Sequence, residues 1–290
     1  MAAITAAMVK ELREATGAGM MECKKALTEA DGDQAAAVDI LRTRGLAAAA
    51  KKADRATNEG RVTAFVCPTC GHAAVVEVNC ETDFVAINDK FGAYCEDFAK
   101  AVILNDPADV DALKASEFNG TKVEDMLTEA IHVIGENMQV ARFKRIAAPE
   151  CGAVVSYNHM NNKIGVLVSF KLGNAATADS DAFKAMGKDV AMQIAATNPV
   201  SLDQDSVPAD VAQHELDIYK AQAAESGKPE KIQEQIASGR MKKFYKENCL
   251  VAQDFVKNPD MSVQQYVDSV AKELGDSIEI VEFARIELGE

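Results

Sequence analysis

The stretch that decides the fold is GAVVSYNHMNNKIGVLV, residues 152–168. Two short apolar runs with the alternation of β-strands flank a polar turn, and this pattern predicts a β-hairpin. An earlier stretch repeats the arrangement, with GRV at residues 60–62 followed by VVEV at residues 75–78. A helical pattern with a large apolar face follows each copy, marked by Phe91 and Phe183. Two copies of a hairpin-plus-helix unit predict a duplicated α+β core.

The second copy is extended by a last strand and an insertion. Residues 278–287 carry apolar side chains among acids, so we expect a strand that completes the second sheet. Before it, residues 208–225 and 229–246 form two charged helical patterns joined at Ser226-Gly227-Lys228-Pro229. Two such helices around a Gly/Pro turn predict an antiparallel hairpin that projects as a docking arm, with an ordinary pair of surface helices as the alternative.

Residues 1–60 differ from the rest of the chain in charge. They hold nine basic and nine acidic residues, so the whole formal charge of −14 lies in residues 61–290. Their pattern predicts a module of three short helices. The predicted boundaries are a cap at Thr5, a turn at Gly17 and Gly19, a second helix opening at Met20 and Met21, a break and cap at Asp31-Gly32-Asp33, and an end before Gly45. Neutral charge and an Ala/Lys-rich connector, residues 46–56, predict an independently folding module that is tethered to the core.

The length of 290 residues suits about two domains, and the patterns divide it further. The predicted units are residues 1–55 for the module with its connector, 56–147 for the first core subdomain, 148–204 with 250–290 for the second, and 205–249 for the inserted helical hairpin.

Composition excludes several classes of protein. With 45 acidic against 31 basic residues the chain is not expected to wrap nucleic acid, because phosphate binding needs clustered Lys and Arg. No apolar run reaches the ~18–20 residues of a membrane span, and residues 1–10 lack a signal-peptide pattern. The seven cysteines are odd in number and mostly dispersed, as in reduced cytosolic proteins. We therefore expect a cytoplasmic protein without membrane contact.

Catalytic motifs are missing from the sequence. It contains no GxxxxGK[ST], HExxH or GxSxG pattern, and Gly17-Ala18-Gly19 lacks the third glycine and preceding strand of a dinucleotide loop. The four histidines are scattered. The sequence predicts neither an enzyme nor a bound cofactor.

The segment CPTCGH, residues 67–72, is the one metal-like signal. Cys67 and Cys70 could supply two corners of a tetrahedral zinc site, whereas a structural site needs four ligands and no second C-x-x-C follows. A third ligand at His72 would crowd the turn, and Cys80 lies at the far end of the return strand. The alternatives are a plain thiol-bearing tip or a redox-sensitive pair.

The segment NCETDFV, residues 79–85, lies where a strand ends and a helix has not begun. Two interpretations fit its aromatic residue. Phe84 is either a core plug beside a helix cap at Thr82 or Asp83, which the spacing alone favours, or an exposed wedge for a groove on another protein.

Two long runs resemble a known family. VKELREATGAGMMECKKAL, residues 9–27, is similar to the amino-terminal signature of bacterial elongation factor Ts, and EVNCETDFV, residues 77–85, is similar to its second signature. Shorter segments that resemble later parts of the pattern are IGEN at 134–137, SYNH at 156–159, IGVLV at 164–168, SGKP at 226–229 and GRMKKF at 239–244.

The resemblance implies a guanine-nucleotide exchange factor for the GTPase elongation factor Tu. It implies a three-helix module like the ubiquitin-associated (UBA) fold and a duplicated α+β core that carries a coiled-coil arm. In the family the segment that matches Thr82, Asp83, Phe84 and Val85 is exposed and enters the partner beside its nucleotide and Mg²⁺ site. The wedge interpretation of Phe84 is then the favoured one.

Five further contacts follow from the resemblance alone. Ile134 and Gly135 would flank the wedge, His159 would disturb the phosphate-binding side, and Met20 and Met21 would grip a partner helix. The ordinary alternatives are core packing for Ile134, Met20 and Met21, a tight turn for Gly135, and a solvated tip for His159.

Two features depart from the family pattern. The CPTCGH tip is not part of it. Some relatives add a helix after the last strand, whereas this sequence stops at Gly289-Glu290, so we expect that contact to be missing or replaced by a neighbouring surface.

Overall fold

The computed structural model describes residues 4–225 and 227–290 of the chain. Residues 1–3, at the amino end without a signal-peptide pattern, and Ser226, in the predicted hairpin turn, lie outside the described residues. The described residues form helices and antiparallel sheets, in agreement with the predicted α+β class.

The elements of the first half include three helices before the first strand. They are α1 (Ala6–Thr16), α2 (Met20–Glu29), α3 (Gln34–Ala50), β1 (Glu59–Val66), β2 (Ala73–Cys80), α4 (Asp83–Ala86), α5 (Asp89–Asn105), α6 (Val110–Ala115), β3 (Glu117–Phe118), β4 (Thr121–Lys122), α7 (Val123–Ile134) and β5 (Met138–Ile146).

The second half begins with a β-hairpin. Its elements are β6 (Gly152–His159), β7 (Ile164–Leu172), α8 (Asp181–Thr197), α9 (Ala209–Ala224), α10 (Glu230–Asn248), β8 (Asp254–Phe255), β9 (Asn258–Ser262), α11 (Val263–Leu274) and β10 (Ile278–Glu287), with short 3₁₀ turns at Ala175–Asp179 and Leu250–Ala252. None of the helices in the described part of the chain is both long and apolar enough to cross a bilayer.

Helices α1 to α3 enclose a small apolar cluster of their own. Its buried members are Val9, Leu12, Ala18, Cys23, Ala26, Leu27, Ala37 and Leu41. The Thr5 hydroxyl accepts a hydrogen bond from the Met8 N–H and the Asp33 carboxylate accepts one from the Ala36 N–H, so both predicted caps are confirmed. Gly17 ends α1 at φ +65°, a conformation that glycine adopts without strain.

Helix α3 is longer than predicted, because Gly45 does not end it. The helix continues through Gly45 to Ala50 and therefore takes in part of the predicted connector. A Cβ atom at Gly45 would already lie 3.6 Å from the Cβ of His132 in α7. That separation is an ordinary van der Waals contact, so α3 lies against α7 at this point and Gly45 does not terminate the helix.

Polar contacts hold the three helices against α7. Arg42 forms an ion pair with Asp125, and the Glu22 carboxylate lies 3.3 Å from Nε2 of His132. The Lys52 ammonium donates a hydrogen bond to the Ile131 carbonyl at 3.3 Å. The three-helix module is therefore docked on the core along α7.

The first sheet has the order β1-β2-β5, with β2 buried along its whole length. Its core combines strand β2 with helices α5 and α7, through Phe91, Phe98 and Leu127 among others. The second sheet has the order β10-β7-β6 and packs on α8 and α11. The predicted duplication and the predicted last strand are thus both present in the described residues.

The two sheets meet at a shared apolar cluster that includes Val62, Val75, Leu167 and Ile286. A Cβ atom at Gly165 of β7 would lie 2.6 Å from Cγ1 of Val62, closer than real Cβ atoms come to other atoms. The absence of a side chain at Gly165 therefore allows the two sheets to approach closely.

Helices α9 and α10 form the predicted antiparallel pair. Gly227 adopts φ +63° in the turn between them, and the side chains along the pair are mostly exposed. Their buried cluster lies at the base, where Met241 and Phe244 meet Val207 and Cys249.

Candidate functional site

The segment after β2 forms a single short helix, α4, which carries Phe84. Thr82 caps α4, and its hydroxyl accepts a hydrogen bond from the Val85 N–H at 3.4 Å. Ala86 is buried and Val85 packs half-buried against the first core, which anchors one side of the turn. The Phe84 side chain points outward and is 79% exposed. The core-plug interpretation of Phe84 is therefore wrong.

The start of α4 is held by Glu136, which lies two residues beyond the end of α7. One carboxylate oxygen of Glu136 accepts hydrogen bonds from the backbone N–H groups of Glu81 (3.1 Å) and Thr82 (3.0 Å). The other accepts a hydrogen bond from the Thr82 hydroxyl at 2.6 Å. Three hydrogen bonds to one carboxylate, which are stronger than neutral ones, fix the start of α4.

A second set of hydrogen bonds has its acceptors at Glu81 and Arg55 and its donors at Asn137. The Glu81 carboxylate accepts a hydrogen bond from the Asn137 N–H at 2.6 Å and lies 3.4 Å from the Arg55 guanidinium. The Asn137 amide in turn donates to the Arg55 carbonyl at 2.8 Å. Residues 81–82 and 136–137 are thus tied reciprocally. Sequence reasoning missed this role, although the IGEN motif contains both Glu136 and Asn137.

Ile134 and Gly135 lie between α7 and this clamp. Ile134 packs partly buried against the first core. Gly135 ends α7 at φ +94°, with its N–H bonded to the Ile131 carbonyl at 3.0 Å, and a Cβ there would meet no atom within 4 Å. Ile134 thus packs in the core and Gly135 forms a tight turn, as in the ordinary alternatives. Both residues directly precede Glu136, which holds the start of the helix that carries Phe84.

His159 lies at the tip of the β6–β7 hairpin. Its side chain is exposed, and Nδ1 lies 2.8 Å from the Tyr157 hydroxyl. The Val62 N–H donates to the Asn162 carbonyl at 2.7 Å, which fastens the tip to β1. Lys163 forms an ion pair with Glu59 at 2.5 Å, and Glu59 is paired with Cys80 in the first sheet. His159 therefore lies at the same end of the molecule as Thr82.

Met20 and Met21 begin α2 with side chains that are 58% and 64% exposed. The next residue, Glu22, contacts His132, which is two residues before Ile134. A chain of direct contacts thus joins α2 to α7, α7 to Thr82, and the first sheet to the tip that carries His159. The structure therefore connects the sequence-predicted residues through a series of neighbouring contacts.

The surface around Phe84 combines an exposed aromatic ring with the exposed carboxylate of Asp83. The nearest thiol, Cys80, is buried, and this burial together with the charge of Glu136 raises its pKa to about 12, so it stays protonated. In residues 4–225 and 227–290 there is no group of three or more His, Cys, Asp or Glu that could hold a metal ion. An exposed aromatic ring beside a carboxylate, on a helix whose start is held by hydrogen bonds, is typical of a surface that binds another protein.

Comparison with known proteins places the chain in a family. A profile described as Elongation factor TS matches residues 81–290. The protein named Elongation factor Ts of Trichlorobacter lovleyi is 50% identical over 291 residues, which cover 99% of this chain and 93% of that protein. Proteins of the same name from Syntrophotalea carbinolica and Clostridium kluyveri are 47% and 46% identical, each over 99% of this chain and 93% of their own length.

The chain belongs to the elongation factor Ts family. Membership implies a nucleotide exchange factor for elongation factor Tu in translation elongation. The resemblance found in the two long motifs is thereby confirmed.

Proposed function

We propose that the chain promotes GDP release from elongation factor Tu by inserting the Thr82–Val85 segment beside the nucleotide. The wedge would displace Mg²⁺, while a second contact disturbs the phosphate site. The observation that carries the proposal is Phe84, an aromatic side chain that is 79% exposed although Glu136 holds the start of its helix and Ala86 is buried in the core. The ring does not pack into the core of the free protein, so its apolar surface is available to a partner.

Exchange of this kind is a problem of linked equilibria. A protein that binds the nucleotide-free GTPase more tightly than the GDP form must weaken GDP binding by the same factor. No covalent bond is made or broken, so the factor needs no catalytic side chain. The rigid attachment of the Thr82–Val85 segment suits this mechanism, because little interaction energy is lost in ordering the segment on binding.

Phe84 and Asp83 have different tasks in the proposed wedge. The ring of Phe84 would insert between partner helices, where its apolar surface leaves water. The exposed carboxylate of Asp83 would compete for hydrogen bonds that support the Mg²⁺ shell. Loss of the cation leaves the diphosphate charge uncompensated and lowers the affinity for GDP.

The remaining contacts extend the same surface. Ile134 and Gly135 flank the wedge, His159 reaches the phosphate-binding side, and Met20 with Met21 grips a partner helix. Methionine suits such a contact because its flexible, polarisable side chain adapts to the partner. We also propose that α1 to α3 form a UBA-like module and that α9 with α10 forms a coiled-coil arm for docking.

The decisive test measures the release of labelled GDP from elongation factor Tu. We expect the full-length protein to accelerate release, with a rate that saturates as its concentration rises. An adaptor that binds without exchange would leave the release rate unchanged, and that result would refute the proposal. The binding of nucleotide-free elongation factor Tu, followed by gel filtration, distinguishes a non-exchanging binder from a protein that does not bind.

A rival function, a zinc- or redox-responsive binding protein built on Cys67 and Cys70, is not supported. The curated relatives match 99% of the chain, and the described residues offer no group of three metal-ligating side chains at this tip or elsewhere.

Glu136 is predicted to position the wedge. In a Glu136→Gln variant the amide nitrogen cannot accept the bonds that the carboxylate now accepts from residues 81 and 82, so the start of α4 loosens. Hydrogen bonds to charged groups contribute roughly 1.5–3 kcal/mol, and Glu136 is partly exposed, so we expect exchange activity to fall by up to about ten-fold.

Hydrogen–deuterium exchange separates positioning from general destabilisation. The amides of residues 81–87 should exchange faster in Glu136→Gln while those of β2 and α5 keep their protection. Glu124→Gln, an exposed position at the first turn of α7, is the matched control. Unchanged amide exchange at residues 81–87 would show that Glu136 does not hold the segment.

A further inference from the structure

Strand β1 lies at the edge of the first sheet, so one side of its backbone has no strand partner within that sheet. Such an edge exposes backbone N–H and C=O groups that need other partners. The tip of the β6–β7 hairpin, residues 158–163, contacts this edge and supplies some of those partners. The two halves of the core are therefore joined by hydrogen bonds at β1.

Asn158 makes the contact at Ala64 with its side chain. Its Oδ1 accepts a hydrogen bond from the Ala64 N–H at 2.9 Å, and its Nδ2 donates one to the Ala64 carbonyl at 3.1 Å. A neighbouring antiparallel strand would satisfy Ala64 with the same pair of bonds. Ala64 is buried whereas Asn158 is exposed. The carboxamide of Asn158 thus completes the edge of a sheet to which its own strand does not belong.

The tip is an ordered turn that is bonded to β1 at a second position. The Val62 N–H, two residues before Ala64, donates to the Asn162 carbonyl at 2.7 Å. Residues 160–162 have φ of +50°, +55° and +65°, and the Lys163 N–H closes the turn on the residue 159 carbonyl at 3.1 Å. Non-glycine residues with positive φ are uncommon and persist where surrounding contacts determine the backbone.

We propose that Asn158 is a positioning residue for nucleotide exchange, which holds His159 at a fixed place relative to Phe84. Asn158 directly precedes His159 in β6, so the two bonds to Ala64 fasten the backbone of His159 to the first sheet. The His159 ring is held from the other side, because its Nδ1 lies 2.8 Å from the hydroxyl of Tyr157, which packs against the second core. The inference rests on the proposed function, in which Phe84 and His159 contact the same partner.

The two proposed contacts belong to different sheets. Phe84 follows β2 of the first sheet, whereas His159 ends β6 of the second. Two contacts with one partner reinforce each other when the first holds the second at a high effective concentration, and a loose connection between them loses that advantage. Bonds from Asn158 to β1 shorten the connection between them to a few residues of one strand. Asn158 therefore acts through His159 and does not itself touch the partner.

The first measurement follows amide hydrogen exchange in the free protein by NMR. Asn158→Ala removes both bonds to Ala64, so the Ala64 amide and those of residues 159–163 should exchange about three- to ten-fold faster. The amides of β2 and β7 should keep their protection. Ser156→Ala is the matched control, because it shortens a polar side chain two residues earlier, on the same side of β6, and should leave the amides of the tip unchanged.

The second measurement separates positioning from a general effect on the fold. The rate of labelled GDP release from elongation factor Tu is compared for Asn158→Ala, His159→Ala and the double variant. Asn158→Ala alone should lower the rate about three- to ten-fold, as expected for the loss of one or two neutral hydrogen bonds. In the His159→Ala background the same change should have little further effect, because the residue that Asn158 positions is already missing.

Each other result has a defined meaning. An equal loss of rate in both backgrounds would show that Asn158 only supports the fold, and it would overturn the inference. Unchanged amide exchange in the tip, an unchanged release rate in Asn158→Ala, or full activity in His159→Ala would overturn it as well. If the original protein does not accelerate GDP release, the proposed function is refuted and the inference with it, whereas the other outcomes leave the wedge at Phe84 intact.

Discussion

A Phe84→Ala variant is expected to keep its fold and to lose most of its ability to accelerate GDP release. The ring is 79% exposed in the free protein, so its removal leaves no cavity in the core. In the proposed complex the same ring is fully buried between partner helices. Burial of a phenylalanine side chain contributes roughly 1.5–3 kcal/mol, which corresponds to about ten- to a hundred-fold in rate.

The measurement is the rate of labelled GDP release at saturating concentrations of the variant. Saturation matters because a lower affinity alone would be hidden at high concentration, whereas a missing wedge lowers the plateau. Thermal unfolding monitored by circular dichroism should match that of the original protein.

Leu104→Ala is the matched control for Phe84→Ala. Leu104 is 67% exposed, but it lies near the far end of α5, roughly 22 Å from the start of that helix at 1.5 Å per residue. It should leave the plateau unchanged. If Phe84→Ala also leaves the plateau unchanged, then the wedge mechanism is wrong.

Local signals were sufficient for most of the helices and strands. The caps at Thr5 and Asp33 form as predicted, and the last strand has the predicted bounds, because each depends on residues close together in sequence. Helix α11 was missed although its signal is present. Ser262 and Gln265 form a capping box ahead of apolar positions at Val263, Val267 and Val270.

Other features depend on contacts between distant residues and could not be predicted from local patterns. Strand β5 was missed, since its alternation is broken where its register with β2 shifts between Glu77 and Val78. Helix α3 continues through Gly45 where it lies against α7, a contact that the local pattern does not reveal. Spacing alone favours a buried Phe84. The local pattern does not reveal the hydrogen bonds to Glu136 that hold the segment, because Glu136 lies 54 residues beyond Thr82 in the chain.

Met20 and Met21 give the second large expected effect, on affinity for elongation factor Tu. Their side chains are 58% and 64% exposed at the start of α2, beside the contact between Glu22 and His132. Replacement of both by serine removes a partner-facing apolar patch in the proposed complex. Loss of two largely buried contacts costs on the order of 2–4 kcal/mol after a discount for partial exposure. At about 1.4 kcal/mol per decade, the affinity should fall some ten- to several-hundred-fold.

Core packing of the two methionines, the ordinary alternative, is wrong for the free protein because both side chains are exposed, and it would predict a different result. The three-helix module would then melt, and circular dichroism would show lost helix. Leu27→Ala provides the reference for that outcome, because Leu27 is fully buried in the module's own cluster on the same helix. Its removal should cost about 2–5 kcal/mol of stability.

Two measurements on the Met20→Ser, Met21→Ser double variant decide between these possibilities. The first is titration against nucleotide-free elongation factor Tu, and the second is thermal unfolding compared with Leu27→Ala. Weakened binding with a preserved helix signal supports a partner-facing patch, since serine is tolerated at the first positions of a helix and the side chains are exposed. Unchanged affinity with unchanged helix content would remove both methionines from the interface, because neither their apolar surface nor their position would then contribute to binding.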